Sequence, residues 1–162
     1  MTAPPDHEIS FVSGGVELLG DVAPLWQRLR DHHVKLNGPF TTEIAAQTFE
    51  KRAGGWKTEG NHGEVLVDVA WADDRAIGYC VTTIDLRGEM GEIDSLFVLE
   101  EFRRRGIGDR LVRRALQWLD DNEVKDRVVY VICENDPALK FYARFGFVAR
   151  TVVMKQISKA RS

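Results

Sequence analysis

The spacing of apolar residues changes repeatedly along this chain, and each change predicts an element. Ile9 and Phe11 alternate with polar neighbours over Glu8–Ser13, a short strand ended by Gly14-Gly15. Leu18, Leu19, Val22, Leu25, Trp26, Leu29 and Leu36 then recur at helical spacing until Asn37-Gly38-Pro39 stops them. Thr41 or Thr42 caps a second helix, with Glu43 in its first turn, Ile44, Ala45 and Phe49 as its stripe, and Gly54-Gly55 as its close. From Glu64 the period falls to two. Glu64–Ala72 and Ala76–Ile84 predict strands joined by an Asp73-Asp74 turn. A turn near Arg87-Gly88 leads to a third strand, Gly91–Leu99, completing an antiparallel meander.

The helical period then returns. Ile107, Leu111, Ala115 and Leu119 step by four along one face, widened by Val112, Leu116 and Trp118, while Arg110, Arg113, Arg114 and Asp121 lie outside it. Arg127–Cys133 is a continuous apolar run rich in β-branched residues and predicts a buried strand. Pro137 suits the first turn of a short helix through Tyr142 to Phe145; Gly146 ends it, and Phe147–Ile157 predicts a last strand. This order of elements predicts an α/β or α+β sheet of mixed strand direction.

Composition narrows the class. The chain has 162 residues, 44% hydrophobic and 29% charged, which suits one soluble globular domain spanning 1–162. Its net charge of −3 argues against a general nucleic-acid binder. Cys80 and Cys133 form no C-x-x-C and lie in apolar runs, so both are expected as buried, reduced thiols of a cytoplasmic protein. Met1–Ser10 is polar and contains Pro4-Pro5, without the apolar core of a signal segment, and no run is long enough to span a membrane. His7, His32, His33 and His62 show no metal-ligand spacing, so no metal is expected.

The chemistry concentrates between strand and helix, in Val98-Leu99-Glu100-Glu101-Phe102-Arg103-Arg104-Arg105-Gly106-Ile107-Gly108. Glycine permits close backbone approach to a ligand, and a helix start offers unpaired N–H groups with a partial positive charge. With the adjacent arginines these describe a phosphate cradle. A dinucleotide-binding turn fits poorly, because Leu111 stands where G-x-G-x-x-G needs its third glycine. A P-loop needs Gly-Lys-Ser/Thr after a four-residue gap, and none is present.

Arg103-x-x-Gly106-x-Gly108 resembles the Q/R-x-x-G-x-G/A signature of the GNAT superfamily of N-acetyltransferases. Its surroundings extend the likeness: Ile93-Asp94-Ser95-Leu96-Phe97-Val98 before it, Leu111-Val112 in the helix after it, and Ala76-Ile77-Gly78-Tyr79 upstream. Asn135-Asp136-Pro137-Ala138-Leu139-Lys140-Phe141-Tyr142 with Gly146-Phe147 is similar to the family's N-x-x-A-x-x-F-Y-x-x-x-G-F segment. The resemblance covers about 64–156, the expected acetyl-CoA-binding core; acceptor-side helices are expected at about 16–60. It implies a mixed, mostly antiparallel twisted sheet of six to seven strands flanked by about four helices. It also implies acetyl-CoA as co-substrate.

Site residues follow from the resemblance, position by position. The N–H groups of Arg104, Arg105, Gly106, Ile107 and Gly108, with Arg103 and Asp109 beside them, are expected at the coenzyme A pyrophosphate. Leu96, Phe97 and Val98 are expected to carry the pantetheine arm along their backbone, with the Val98 N–H on the thioester oxygen. Glu92 lies eleven residues before Arg103, at a position that often supplies the general base, and a strict alternation gives it the same face as Asp94, Leu96 and Val98. Asp94 is the reserve base. Tyr142 matches the tyrosine that commonly protonates the leaving thiolate. Asn135 either binds the pantetheine chain or caps the next helix.

No Cys, Ser or His stands in a nucleophile context, which favours direct attack by the amine in a ternary complex over a covalent acyl-enzyme. The acceptor is a small-molecule or protein amine. His32–Thr42 and Gly54–Gly63, with Trp56, are expected beside it; Glu43, Glu50, Glu59 and Glu64 either attract a cationic acceptor or form solvated faces. Two other readings compete: a non-catalytic acyl-CoA sensor, disfavoured by intact Glu92 and Tyr142, and an RNA-contacting protein using the Arg103–Arg114 cluster, disfavoured by the acidic balance. Dimerisation is common among similar proteins, and the sequence leaves a homodimer open.

Overall fold

A computed structural model describes residues 7–36, 38–57 and 63–157. Asn37 of the expected helix stop, the Pro4-Pro5 pair, and Glu59 and His62 of the expected acceptor loop lie outside the described residues. The sheet has five strands in the order β1-β2-β3-β4-β5. They are β1 (Ile9–Gly14), β2 (Glu64–Ala72), β3 (Arg75–Ile84), β4 (Met90–Val98) and β5 (Asp126–Val129). The first four pair antiparallel, and β5 joins β4 in parallel. The meander read from period-two alternation therefore forms, with Ala72 opposite Arg75 across the Asp73-Asp74 turn. Asp73 takes a positive φ of 50° there, a conformation aspartate tolerates.

Five α-helices flank the sheet: α1 (Leu19–Val34), α2 (Thr41–Ala45), α3 (Phe49–Lys57), α4 (Ile107–Asp121) and α5 (Asp136–Ala143). Short 3-10 turns precede α1 at Val16–Leu18 and α4 at Glu100–Phe102. α1 buries Leu19, Val22, Leu25 and Trp26, and α4 buries Ile107, Leu111, Val112, Ala115 and Leu119, matching the stripes in the sequence. Each such side chain contributes about 1.5–3 kcal/mol when fully buried.

The helices take opposite faces of the sheet. A Cβ on Gly78 would lie 3.5 Å from Leu111 and one on Gly91 would lie 2.5 Å from Leu119, so those positions face α4. Asp94 reaches Arg52 and Trp56 of α3, so it faces the other layer. On the α4 side Asp68 is wholly buried and accepts from Arg114 Nε at 3.0 Å and from the Ser13 hydroxyl, tying β1, β2 and α4 together.

Several expected elements differ. The second helix divides, because the Thr48 hydroxyl accepts from Lys51 N at 3.3 Å and starts α3 afresh; Gly54 and Gly55 lie inside α3 instead of closing it. The run expected as a buried strand to Cys133 stops at Val129, since β5 pairs with β4 only from Met90 to Ile93. Beyond it Tyr130 is 76% exposed, and Cys133 is exposed instead of buried; Cys80 is buried as expected. Phe147–Ile157 forms no strand. Alternation marks which face would be apolar, but a strand also needs a neighbour for its backbone groups. Val148, Val152, Val153 and Met154 stay exposed, and the segment is tied to α2 by Lys155, whose Nζ lies 2.6 Å from Glu43 Oε1. Among the described residues the sheet thus has five strands where six to seven are expected, and it is flanked by five α-helices where about four are expected.

The tightness at Gly91 gives a test. Gly91→Ala is expected to destabilise the chain by about 1–3 kcal/mol, because Leu119 has no room to retreat inside the core. Urea unfolding of the variant against the parent checks this.

Candidate active site

The parting of β4 and β5 creates the site. The last residue pair between them is Ile93 with Val129, so from Asp94 to Val98 the outer edge of β4 has no strand partner among the described residues. Which groups that edge presents follows from the ladder. Leu99 N–H donates to Ile77 O at 2.8 Å, towards β3. Alternation then turns the N–H and C=O of Val98 and Leu96 outward, and those of Phe97 inward. The Val98 carbonyl accepts from Arg103 Nε at 2.9 Å, while the outward N–H groups of Leu96 and Val98 remain open.

The loop beyond β4 supplies the cradle. Arg104 has φ 62° and Gly106, the residue before α4, has φ 73°, so the chain coils tightly into the helix. No N–H from Arg104 through Ile107 and Gly108 to Asp109 has a hydrogen-bond partner among the described residues; the next, on Arg110, donates to Gly106 O at 3.0 Å. Consecutive unpartnered donors at a helix start form an anion-binding concavity. A Cβ on Gly106 would meet nothing within 4 Å, so the space above it is open, whereas one on Gly108 would touch Phe141 of α5 at 3.4 Å. Gly106 thus keeps the cradle open, and Gly108 lets α4 and α5 close together.

The arginines divide their tasks. Arg103 folds back on β4, with its guanidinium 5.4 Å from the Phe97 ring centroid, and braces the loop instead of reaching towards it. Arg105 lies over Phe102 at 5.2 Å. Arg104 makes no side-chain hydrogen bond or ion pair among the described residues. Ile107 is buried and anchors the helix start. The Asp109 carboxylate takes two bonds from Arg144, at 2.8 and 3.0 Å, and holds α4 to α5.

A β-bulge separates the acids from the strand edge. Ser95 pairs with Val81 and Ile93 with Thr82, leaving Asp94 as the extra residue. A bulge reverses the alternation, so Glu92 and Asp94 face the α1/α3 layer, while the Leu96 and Val98 side chains face α4. The single shared face expected from strict alternation is therefore corrected. The Asp94 side chain is 5% exposed and fully engaged: Arg52 Nη2 pairs with Oδ1 and Trp56 Nε1 donates to Oδ2 at 3.0 Å. Glu92 has no hydrogen-bond partner among the described residues. Its burial first, and the Asp94 charge second, push its carboxyl up to about 7, with Arg52 opposing.

Tyr142 lies on α5, nearly buried, with its ring edge-on to Phe141 and Phe147. Burial, and then Cys80 and Tyr79, raise the phenol well above its usual range, so it stays protonated. Its hydroxyl has no partner among the described residues. Asn135 Oδ1 accepts from Ala138 N at 3.3 Å and caps α5, which decides one of its two expected roles. At the other side, His33 is lowered to about 4 by burial and then by His32; His32 is itself lowered by burial and then by Arg103, which brings the end of α1 near the loop.

Arg52 and Trp56 carry no motif and join the site only through the fold, while Ser95, inside the β4 stretch of the resemblance, gains its place by a 2.7 Å hydrogen bond to the buried Tyr79 hydroxyl. Trp56, expected to face the acceptor, is buried against the core. A groove of about 420 Å³ lies elsewhere, between α4 and β1–β2, beside Ser13, Asp68, Arg114 and Trp118. It touches neither the open edge nor the cradle. Among the described residues no cluster of His, Cys, Asp or Glu could hold a metal ion, and no helix is long and apolar enough to cross a membrane.

This chain matches the acetyltransferase (GNAT) family over residues 26–147. An "Uncharacterized N-acetyltransferase" of Archaeoglobus fulgidus is 40% identical over 82 residues, 48% of this chain and 56% of the relative. Human N-alpha-acetyltransferase 30 is 31% identical over 86 residues, 51% of this chain and 24% of the relative. The mycothiol acetyltransferase of Corynebacterium diphtheriae is 24% identical over 150 residues, 91% of this chain and 48% of the relative. The matched stretch spans about half the length of the Archaeoglobus and Corynebacterium relatives and about a quarter of the human one. Among solved structures, a GCN5-related N-acetyltransferase from Ralstonia eutropha JMP134 has a TM-score of 0.70 at 17% identity, covering 94% of this chain and 100% of that one. Aminoglycoside N-acetyltransferase AAC(6')-Iy in complex with CoA has a TM-score of 0.64 at 19% identity, covering 98% and 100%. At those identities the likeness is one of fold.

The raised Glu92 carboxyl has a stability consequence of definite sign. The folded chain holds this proton more tightly than the unfolded chain, so Glu92 costs stability increasingly as pH rises from about 4.5 through about 7. Glu92→Gln is expected to be more stable than the parent at pH 8, by on the order of 1 kcal/mol after solvent screening, and to lose that advantage at pH 4. Thermal unfolding at the two pH values checks it.

Proposed function

Because this chain belongs to the GNAT acetyltransferase family, we propose that it moves an acetyl group from acetyl-CoA to a primary amine by direct attack in a ternary complex. The observation that carries this reading is the run of unpartnered N–H groups from Arg104 to Asp109, set directly beyond an open strand edge. The donors and the open space over Gly106 fit a diphosphate; the edge fits an extended arm with amides in line. Acetyl-CoA, when bound there, supplies the activated thioester.

Strand geometry selects the donor for the thioester oxygen. Successive residues advance about 3.3 Å and the bulge removes one step, so Val98 stands roughly 17 Å along β4 from Glu92, and Leu96 only about 10 Å. Both N–H groups face outward, but Leu96 is close enough to share a reacting centre with Glu92 through water. We therefore place the thioester oxygen on Leu96 N–H, in place of the Val98 N–H that the resemblance implied, and give Val98 N–H the arm behind it. A donor aimed at the developing oxyanion contributes about 3 kcal/mol.

Glu92 accepts the ammonium proton. An alkylamine with a pKa near 10.4 is only ~0.1% neutral at pH 7.4, so its deprotonation costs about 4 kcal/mol. With a carboxyl at about 7, Glu92 is mostly ionised at that pH yet basic enough to take the proton and release it to solvent. Asp94 is not a base in this scheme, since both its oxygens are bonded. As the C–N bond forms and the C–S bond breaks, the nitrogen passes its second proton through water to Glu92, by then ionised again, while the Tyr142 hydroxyl protonates the departing sulfur and regains a proton from solvent. A free, tuned carboxylate beside the edge favours catalysis over a sensor that only binds acyl-CoA. Small-molecule amines are the favoured acceptors, because aminoglycoside and mycothiol acetyltransferases stand among the similar proteins.

Two variants test the assignment. Gly106→Glu is expected to abolish acetyl-CoA binding, since it strains a positive φ and puts a carboxylate among donors that await phosphate; calorimetric titration showing unchanged affinity in a folded variant would remove the cradle. Tyr142→Phe is expected to lower kcat by 10-fold or more, in the range of an acid–base contribution of ~10²–10⁴, with little change in acetyl-CoA affinity. Steady-state kinetics of thiol release with a panel of amines reads both parameters.

A further inference from the structure

Arg52 and Trp56 stand one turn apart on α3 and converge on one residue of β4. Arg52 Nη2 donates to the Asp94 backbone carbonyl at 3.0 Å and pairs with its Oδ1, while Trp56 Nε1 donates to Oδ2 at 3.0 Å. The guanidinium also lies 4.8 Å from the Trp56 ring centroid, so the two α3 side chains hold each other in place. The bulge is what allows this, because the extra residue in the strand leaves ladder register and its carbonyl becomes available to a side chain.

We propose that Asp94 is a positioning residue: clasped by Arg52 and Trp56, it anchors α3 to the β4 bulge and, with Arg52, sets the field in which Glu92 works. The catalytic consequence rests on the function proposed above; the electrostatic consequence does not. A buried carboxylate survives only when its donors are supplied, so the clasp and the charge come together. Glu92 stands two residues before Asp94 on the same side of the bulge. The neighbours opposite it, Thr83 on β3 and Val128 on β5, are uncharged. Among the described residues only Asp94 from its own strand and Arg52 from α3 act on it by charge, with opposite sign. Asp94 makes Glu92 hold its proton more tightly, and Arg52 keeps it from becoming too weak an acid to ionise near neutrality.

Opposite signs give a test that a merely structural role fails. In the full chain, the Glu92 carboxyl carbon is titrated by NMR in the parent and in Asp94→Asn, Arg52→Gln and Arg52→Lys. Asp94→Asn is expected to move the midpoint to lower pH, and Arg52→Gln to higher pH, each by about one pH unit; Arg52→Lys, which keeps the charge, is expected to stay near the parent. Midpoints that do not move, or that move in the same direction, overturn the proposal. Should Asp94→Asn fail to fold, the two Arg52 variants decide the matter, since that side chain is 39% exposed. The pH profile of kcat/KM for thiol release from acetyl-CoA, with n-butylamine as acceptor, answers the separate question. If its acid limb ignores the Glu92 midpoint across the variants, Glu92 is not the base, while opposite NMR shifts still uphold the clasp.

Discussion

The whole site depends on one parting in the sheet. β4 and β5 run together in parallel for only a few residues and then diverge, and everything of chemical interest lies beyond that point. Unpaired backbone groups at a sheet edge are normally a hazard, because they invite any extended chain. Here the edge is short, and it is overlooked by the donor-rich start of α4 and by α5. A hazard confined in this way has the shape to accept an extended molecule with amides of its own and an anionic end.

The residues that keep this geometry are mostly not those that meet a ligand. Arg103 braces the loop on Val98 and Phe97, Asp109 holds α4 to α5 through Arg144, and Gly108 admits Phe141. The cationic side chains of the Arg-rich loop thereby serve shape as much as charge, and the anion-binding capacity rests with the backbone. This division explains why the loop coils through positive φ at Arg104 and Gly106: only such a turn points successive N–H groups into one concavity.

The bulge at Asp94 performs a second separation. It lets one strand keep an edge without a strand partner among the described residues while turning its acids to the layer where α1 and α3 lie. A carboxylate held by donors and a carboxylate left without them, two residues apart, acquire different duties from environment alone. The one without a donor among the described residues holds its proton up to about 7, because burial and a neighbouring charge both oppose its ionisation, and this suits it to the proposed role of base.

Local pattern alone was enough for the elements whose periodicity is strong: the β2–β3–β4 meander, the stripes of α1 and α4, and the strand–Arg–Gly–helix junction of the loop. These are local, since 3.6- and 2-residue periods and glycine placement act over one or two turns of chain. Glu92 and Tyr142 were candidates through the family resemblance, Glu92 by its place before Arg103 and Tyr142 by the Asn135–Phe147 segment. The rest came from packing, because each remaining feature is a relation between distant segments. The bulge that reverses the face of β4 needs β3 opposite it, and the length of β5 depends on where it leaves β4. Phe147–Ile157 has the alternation of a strand but no neighbour to pair with, and Cys133 lies past the last paired residue. Arg52 and Trp56 carry no motif at all. They reach Asp94 from 42 and 38 residues away, a proximity that packing creates and no local pattern encodes.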